Sequence, residues 1–167
     1  MPAEVFFEVE RRLALLGWQS QSERRIASFY PIFEAKIDQL LRRFYDHLST
    51  CPEVARILAK HDIAGRLIPA QWTHWLKLFQ CEFTEEYVLR ARRIGQAHYR
   101  LQVPVYAYIG SYTFMQTLIL EEASNHVRGL DLAPLLGDIS RIISLDMELS
   151  IAAYVREHWR DNQRILL

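Results

Sequence analysis

The chain has 167 residues, and its 20 Lys and Arg balance 20 Asp and Glu to a formal net charge of zero. Half of the residues are apolar and 24% are charged, which is typical of a soluble globular protein with a sizeable core. Nucleic-acid-binding domains carry a basic excess, so the even charge argues against nucleic acid as a partner.

Helical spacing of apolar residues runs through nearly the whole chain, and strand-like alternation between hairpin turns is missing. Gly17 ends a first helix, Pro31 separates the second from the third, and Pro52 opens a short fourth. Pro69 lies near the start of the fifth helix or kinks it. These predicted helices cover residues 3–16, 19–29, 31–49, 52–58 and 62–81.

Three more helices follow in the second half of the chain. Thr84 is the expected N-cap of the first, with two glutamates at its positive end. Pro104 begins a longer helix that Gly129 closes, and Pro134 lies in the first turn of the last one. These helices cover residues 84–99, 104–127 and 131 to the 160s. The sequence therefore predicts one all-α domain over residues 1–167.

The last helix is apolar on two adjacent faces. A helix packed on a single core needs only one apolar stripe. We therefore expect the second face to bury itself against another copy of the chain, the alternative being a long central helix in a large core. The two faces are Leu145, Leu149, Ala152 and Trp159, and then Met147, Ile151, Tyr154 and Val155.

Several motifs of enzymes, metal sites and membrane segments are missing from the sequence. No Glu-x-x-His pair, HExxH, P-loop or GxGxxG pattern is present. Cys51 and Cys81 form no CxxC and no zinc-binding spacing with histidine, so a reducing cytoplasm is expected. No stretch reaches the roughly 18 apolar residues that span a bilayer. These patterns predict a cytoplasmic protein that is neither an enzyme nor bound to a membrane.

The stretch RRIGQAHYR, residues 92–100, places a histidine on the apolar side of its helix. Ile94, His98 and Leu101 are spaced i, i+4 and i+7, so all three share one face. Haem needs an apolar slot between helices and one imidazole that ligates the iron. The alternative is a core histidine whose ring nitrogens are satisfied by the protein.

The segments IGQAHYRLQVPVYAYIGSY, residues 94–112, and RRFYDHL, residues 42–48, resemble the sensor globins, the haem domains of globin-coupled sensors, which are related to protoglobins. That family shows Ile-Gly-x-x-His, a Pro-containing turn and Tyr-x-Gly, together with a Phe-Tyr pair and a following Pro-Glu. The resemblance covers essentially the whole chain. It implies a globin fold with an extra N-terminal helix, a three-over-three helical sandwich around a haem b. The matching residues are Ile94, Gly95, His98, Pro104, Tyr108, Gly110, Phe44, Tyr45, Pro52, Glu53, His61, Arg66 and Leu67.

The same resemblance implies roles for individual residues. His98 matches the iron ligand, and Tyr45 matches a tyrosine whose hydroxyl donates a hydrogen bond to O2 on the opposite side of the haem. Leu67 and Ala70 match positions that line that side. Some family members have a hydroxyl residue in place of Ala70, and Gln71 is our candidate for the missing donor. A third candidate, His74, is expected at the surface or beside a haem propionate.

Tyr108 matches a tyrosine on the His98 side that senses movement of this ligand, and Phe44 and Ile94 complete the predicted pocket. Two residues depart from the family pattern on that side. Gln102 replaces a frequent glycine four residues after the ligand, and Ala107 replaces a frequent tryptophan. The shape of the turn after His98 is therefore an open question for the structure.

The resemblance implies a sensor that reversibly binds O2, CO or NO at ferrous haem and signals through a homodimer of its last two long helices. Such domains usually precede a diguanylate cyclase, a histidine kinase or a chemotaxis signalling domain, and none of these lies within this chain. The alternative is a haem-free interaction module that signals through protein contacts. A third possibility is a haem enzyme such as a nitric oxide dioxygenase.

Overall fold

The computed structural model describes the backbone of residues 2–165 and the side chains of residues 9–162. The described backbone is α-helical with short connections and contains no β-strand, as the sequence predicts. Its α-helices are α1 (Pro2–Leu15), α2 (Ser22–Leu48), α3 (Pro52–Leu58), α4 (Ile68–Phe79), α5 (Glu85–Arg100), α6 (Val105–His126) and α7 (Leu132–Ile165).

One predicted helix boundary is wrong. Residues 19–29 and 31–49 were expected as two helices, but α2 runs through Pro31 without a break. Proline inside a helix costs about 3 kcal/mol, because it removes one hydrogen bond and crowds the preceding turn. Ile26 and Phe29 before this proline, and Phe33 and Ile37 after it, share one face of α2 and are almost fully buried. Burying each large side chain contributes about 1.5–3 kcal/mol, which outweighs the cost of the proline.

The predicted helix over residues 62–81 is also divided differently. Its first turn, Ile63–Leu67, is π-helical, and the α-helix begins only at Ile68. Pro69 has no N–H to donate to the preceding turn. The Asp62 carboxylate caps the start of the π-helical turn by accepting from the backbone N–H of Gly65. The wide turn places Leu67 beside the cavity described below.

Long-range packing joins the helices into one core. Helix α5 lies along α7, α2 packs against α4, α6 and α7, and α1 touches both α5 and α7. The rings of Phe33 on α2 and Phe79 on α4 stack with their centroids 3.9 Å apart. Other fully buried core residues are Leu40, Leu41, Leu78, Met115, Ile119, Ile139 and Ile142.

The faces of α7 differ in burial. Leu145 and Leu149 are buried in the core, whereas Val155 is 39% exposed and Trp159 is 64% exposed. Leu145 and Trp159, which the sequence placed on one face, therefore lie in different environments. The exposed apolar residues near the end of α7 are available to a partner, and dimerisation through them stays a prediction.

Candidate functional site

A cavity of about 320 Å³ lies between α2, α3, α4, α5 and α6. Its walls are mostly aliphatic and aromatic, with a few imidazole, hydroxyl and amide groups. This is the composition of a site that holds a largely apolar ligand with a few polar contacts. All eight residues that the sequence selected line this cavity: Phe44, Tyr45, Leu67, Ala70, Gln71, Ile94, His98 and Tyr108.

We divide the lining into two walls. The proximal wall comes from α5 and α6 and contains Ile94, His98 and Tyr108. The distal wall comes from α2, the π-helical turn and α4, and consists of Phe44, Tyr45, Leu67, Ala70 and Gln71.

The His98 ring is fixed by a hydrogen bond within its own helix. Its Nδ1 lies 2.8 Å from the carbonyl oxygen of Ile94. Because that carbonyl can only accept, Nδ1 carries the proton, and the lone pair of the neutral ring lies on Nε2. Nε2 makes no hydrogen bond to any residue that the structure describes. Burial lowers the pKa of His98, and the bond to Ile94 offsets this only in part. The ring is therefore a neutral imidazole with a free lone pair.

A close approach of two helices holds the His98 helix in place. A Cβ atom added at Gly95 would lie 1.8 Å from the carbonyl oxygen of Ser150 on α7. No side chain fits at such a distance, so the absence of one at Gly95 allows α5 to contact α7 at this level. His98 lies one turn further along α5, and its position relative to α7 is therefore set by this contact.

The turn after His98 answers the question that Gln102 raised. Gln102 adopts a φ of 56°, the left-handed region that glycine favours. The N–H of Gln102 donates to the Tyr99 carbonyl, and the N–H of Val103 donates to the His98 carbonyl at 3.1 Å. These two bonds form a Schellman motif, so α5 ends in the conformation of a glycine C-cap although glycine is missing.

The ring of Tyr108 on α6 packs against the ring of His98. The two rings stack with centroids 4.2 Å apart and an interplanar angle of 8°. The Tyr108 hydroxyl is buried and has no hydrogen-bond partner among the side chains that the structure describes. Burial raises its pKa, and the neighbouring hydroxyls of Ser150 and Tyr112 only partly offset this. A shift of the His98 ring would therefore press directly on Tyr108, and the role of Tyr108 in sensing such a shift stays a prediction.

On the distal wall, the Tyr45 ring is buried and its hydroxyl is free. The ring meets Phe44 edge to face at 5.1 Å, and burial raises the pKa of its hydroxyl well above the usual value. No residue that the structure describes forms a hydrogen bond with this hydroxyl, whereas a core tyrosine would bond to a backbone carbonyl. The hydroxyl is thus a protonated donor on the cavity wall.

The rest of the distal wall is less buried. Leu67 and Gln71 are half-buried and Ala70 is exposed. Gln71 brings an amide to the wall next to the position where Ala70 lacks a hydroxyl. This arrangement leaves Gln71 as the candidate for a second donor.

Of the two places expected for His74, the surface is wrong, and the place beside a haem propionate stays a prediction. His74 lines the cavity, yet it is only 6% exposed, and its Nε2 donates to Oδ2 of Asp146 on α7 at 2.8 Å. The same carboxylate accepts from the hydroxyls of Tyr112 and Tyr87, each at 2.8 Å. Burial alone would raise the pKa of Asp146, but His74 and the two tyrosines outweigh it and lower that pKa. Asp146 is therefore an ionised carboxylate inside the core.

Sequence reasoning missed this buried group and part of the cavity lining. Tyr112 follows Tyr108 by one turn and so shares its helix face, a signal that could have been used. Asp146 lies four residues after Ile142 and three before Leu149, so a charge on the apolar face of α7 was visible in the sequence. Its partners were not visible, because they lie on three other helices. Further lining residues are Leu48, Val54, Ile57, Leu58, His61, Trp75, Ala97, Leu101, Val103 and Ser111.

Comparison with known proteins identifies the family. The family model described as Protoglobin matches residues 7–160. The chain belongs to the Protoglobin family. This confirms the resemblance on which the site residues were chosen.

One relative and one solved structure are also similar to this chain. The haem-based aerotactic transducer HemAT of Halobacterium salinarum is 26% identical over 159 residues, covering 89% of this chain and 32% of its own length. The chain thus spans about a third of that relative. The globin domain of a globin-coupled sensor from Geobacter sulfurreducens superposes with a TM-score of 0.80 at 18% identity, covering 87% of this chain and 96% of that domain. The predicted globin fold is confirmed.

No helix in the described part of the chain is both long and apolar enough to cross a membrane.

Proposed function

We propose that this globin holds one haem b in the cavity and reversibly binds O2, CO or NO there. The observation that carries the proposal is the free Nε2 of His98. A neutral imidazole is the usual ligand of haem iron in globins, and its second nitrogen is commonly fixed by a hydrogen bond to a carbonyl. His98 meets both conditions through its bond to Ile94.

The other cavity residues also fit this group. Aromatic and aliphatic side chains, among them Phe44, Leu67 and Ile94, offer an apolar slot to a flat ring system. Ferrous haem supplies the position at which a diatomic gas binds. The protein contributes the orientation of His98 on one wall and the hydroxyl of Tyr45 on the other. That hydroxyl is free to donate a hydrogen bond to O2 in the cavity, and Gln71 is the second candidate donor.

We further propose that the chain is a sensor and has no catalytic activity of its own. The similarity to an aerotactic transducer supports this, since that relative is named for a signalling role. The signal would pass through a homodimer formed by α6 and α7, on which Ile109, Val155 and Trp159 are exposed. The output would come from a signalling module or a partner protein. Cys51 and Cys81 are both free, in keeping with a cytoplasmic location.

The test is the visible absorption spectrum of the protein after haem is supplied, as ferric protein, after reduction, and with O2 or CO. We expect a Soret band that shifts with each gas. His98→Ala should lose this band or replace it with that of loosely held haem. His126→Ala is the matched control, because the Nδ1 of His126 also lies 2.9 Å from a carbonyl four residues earlier, away from the cavity.

Three results would contradict the proposal. A wild-type protein that takes up no haem would leave the haem-free interaction module as the better description. A spectrum that is unchanged in His98→Ala would show that another residue holds the iron. Turnover of nitric oxide in the presence of an electron donor would show that the protein is a haem enzyme and not only a sensor.

A further inference from the structure

The buried carboxylate of Asp146 receives hydrogen bonds from residues of the cavity, although α7 itself does not line it. His74 on α4 and Tyr112 on α6 both line the cavity and both donate to Oδ2 of Asp146 at 2.8 Å. Tyr87 on α5 donates to Oδ1 at the same distance. One side chain of α7 thus joins three helices, two of them through residues that a ligand in the cavity would touch.

A chain of contacts also leads from His98 to Asp146. The His98 ring stacks on Tyr108 at 4.2 Å, and the Tyr108 ring lies 5.6 Å from that of Tyr112. The Tyr112 hydroxyl then donates to Asp146 and lies 3.4 Å from Ser150. Contacts through Tyr108 and Tyr112 therefore connect the proximal wall to Asp146. On the opposite side of the cavity, the hydrogen bond of His74 makes a second connection to Asp146.

The donors around Asp146 are unusual for a wholly buried charge. Arginine, whose charge is permanent and which can bind a carboxylate with two parallel bonds, is the common partner in such places. Asp146 has one imidazole and two phenols as its hydrogen-bonded partners. The energy of a buried charge depends strongly on the position of its donors. Small movements of His74 or Tyr112 therefore change the forces on α7.

The backbone of α7 is in tight contact at the same level. Ser150, one turn after Asp146, donates from its hydroxyl to the Ala91 carbonyl on α5 at 3.0 Å. Its own carbonyl lies against Gly95, where no Cβ would fit. A displacement of α5 around His98 is thus transmitted to α7 between Asp146 and Ser150 with little room for the helices to slide.

We propose that Asp146 is a positioning residue that ties both walls of the cavity to α7. Binding of a ligand in the cavity moves His74 and the Tyr108–Tyr112 pair, rearranges the donors around the carboxylate, and alters α7 between Asp146 and Ser150. This inference rests on the proposed haem function. It assigns the route by which ligand binding in the cavity changes the structure of α7.

Asp138 provides a matched control on the same helix. It is also wholly buried, and it accepts from Ser22 at 2.7 Å, from Arg141 at 3.1 Å and from Arg25. None of these donors lines the cavity. Replacing Asp138 therefore removes a buried carboxylate from α7 and leaves the contacts to the pocket in place.

The experiment is hydrogen–deuterium exchange with mass spectrometry on the reduced, haem-loaded full chain, with and without carbon monoxide. In the wild type we expect carbon monoxide to change deuterium uptake in peptides that cover residues 143–153. Asp146→Asn should still take up haem and bind carbon monoxide, as its Soret band will show, but the difference in uptake should be lost. Asp138→Asn should keep the difference.

The outcomes separate this inference from the function on which it rests. No Soret band in the wild type would overturn the haem function. A wild-type protein that binds haem and carbon monoxide with no change in α7, or an Asp146→Asn protein that keeps the change, would overturn the role of Asp146 alone. If Asp146→Asn does not fold, Tyr112→Phe takes its place, since it removes one donor and retains the carboxylate. An undiminished change in Tyr112→Phe would equally overturn the inference.

Discussion

The two walls of the cavity are built in opposite ways. On the proximal wall, His98 has a bonded Nδ1, a stacked neighbour in Tyr108, and a helix held against α7 at Gly95. On the distal wall, the Tyr45 hydroxyl is without a partner among the described residues and Ala70 is exposed. One wall is fixed before any ligand arrives, and the other keeps a free donor.

This difference follows from what each wall would have to do. A ligand to a metal gains from a ring whose tautomer and orientation are already set, because no ordering is then required on binding. A donor to a small gas must instead keep its proton and have no competing acceptor. From this difference between the walls, we expect substitutions on the proximal wall to affect folding and haem retention. We expect substitutions on the distal wall to affect gas binding alone.

The largest effect is expected where α5 meets α7. Gly95→Ala places a methyl group 1.8 Å from the Ser150 carbonyl oxygen, so the two helices must separate. Overpacking of this kind costs about 1–3 kcal/mol and sometimes more, and here we expect about 3 kcal/mol. Urea-induced unfolding, followed by circular dichroism, measures the loss.

Gly110→Ala is the control for this change. Gly110 is also helical, but an added Cβ would meet nothing within 4 Å. Alanine is the better helix former, so we expect this variant to gain about 0.5–1 kcal/mol. Equal stability of the two alanine variants would show that the close approach of α5 and α7 does not constrain the fold.

Tyr45→Phe should change gas binding and leave folding intact. The Tyr45 hydroxyl has no hydrogen bond to any described residue, so its removal should alter stability by less than about 0.5 kcal/mol. Loss of one hydrogen bond to O2, about 1–1.5 kcal/mol, corresponds to roughly tenfold faster dissociation. Stopped-flow displacement of O2 by CO measures this rate.

Tyr30→Phe is the matched change on the same helix. The Tyr30 hydroxyl lies 3.4 Å from both Glu34 and Gln80 and does not line the cavity. Its removal should leave O2 dissociation unchanged. An O2 dissociation rate in Tyr45→Phe equal to that of Tyr30→Phe would mean that the distal donor is another group, with Gln71 the first to examine.

The proximal wall also predicts how stability without haem depends on pH. The pKa of His98 is lowered from 6.5 in the folded protein, chiefly by burial. As pH falls below the unfolded value of about 6.5, the unfolded chain binds a proton that the folded chain does not. His98 therefore makes the folded state less stable as pH falls from 7.5 to 5.5.

Urea unfolding of the haem-free protein at several pH values measures this dependence. The His98→Gln variant should lose less stability over the same interval, because its side chain does not titrate. His126→Gln serves as the comparison, since His126 is not among the residues that line the cavity. Parallel curves for the wild type and His98→Gln would show that the buried imidazole is not the group that responds.

The smallest expected effect concerns the turn after His98. Gln102 has a φ of 56°, which an L residue other than glycine adopts at a cost of about 1 kcal/mol. Gln102→Gly should therefore stabilise the protein by up to about 1 kcal/mol, whereas Gln102→Ala should not. Thermal unfolding compares the variants. A destabilised Gln102→Gly would indicate that the glutamine side chain contributes contacts that outweigh the strain.

Local sequence patterns predicted most of the helices and where they begin. Thr84 was predicted as an N-cap and accepts from the N–H of Tyr87, and Pro52 opens α3 as expected. Pro31 misled the prediction because burial of the residues around it overrides the local rule. The π-helical turn before Ile68 could not be predicted from the sequence either. Pro69 has no N–H, and the sequence does not show how the carbonyls of the preceding turn then pair.

The sequence by itself determined the all-α class, His98 on an apolar face, and Tyr45 as the candidate donor, because helix periodicity and a short family motif are local properties. The tertiary structure decided which side chains face one another. His74 and Asp146 are 72 residues apart, and Tyr87 is 59 residues from the same carboxylate. Only the packing of α4, α5 and α6 on α7 brings these groups within hydrogen-bond distance, and a buried charge is stable there because all three donors converge on it.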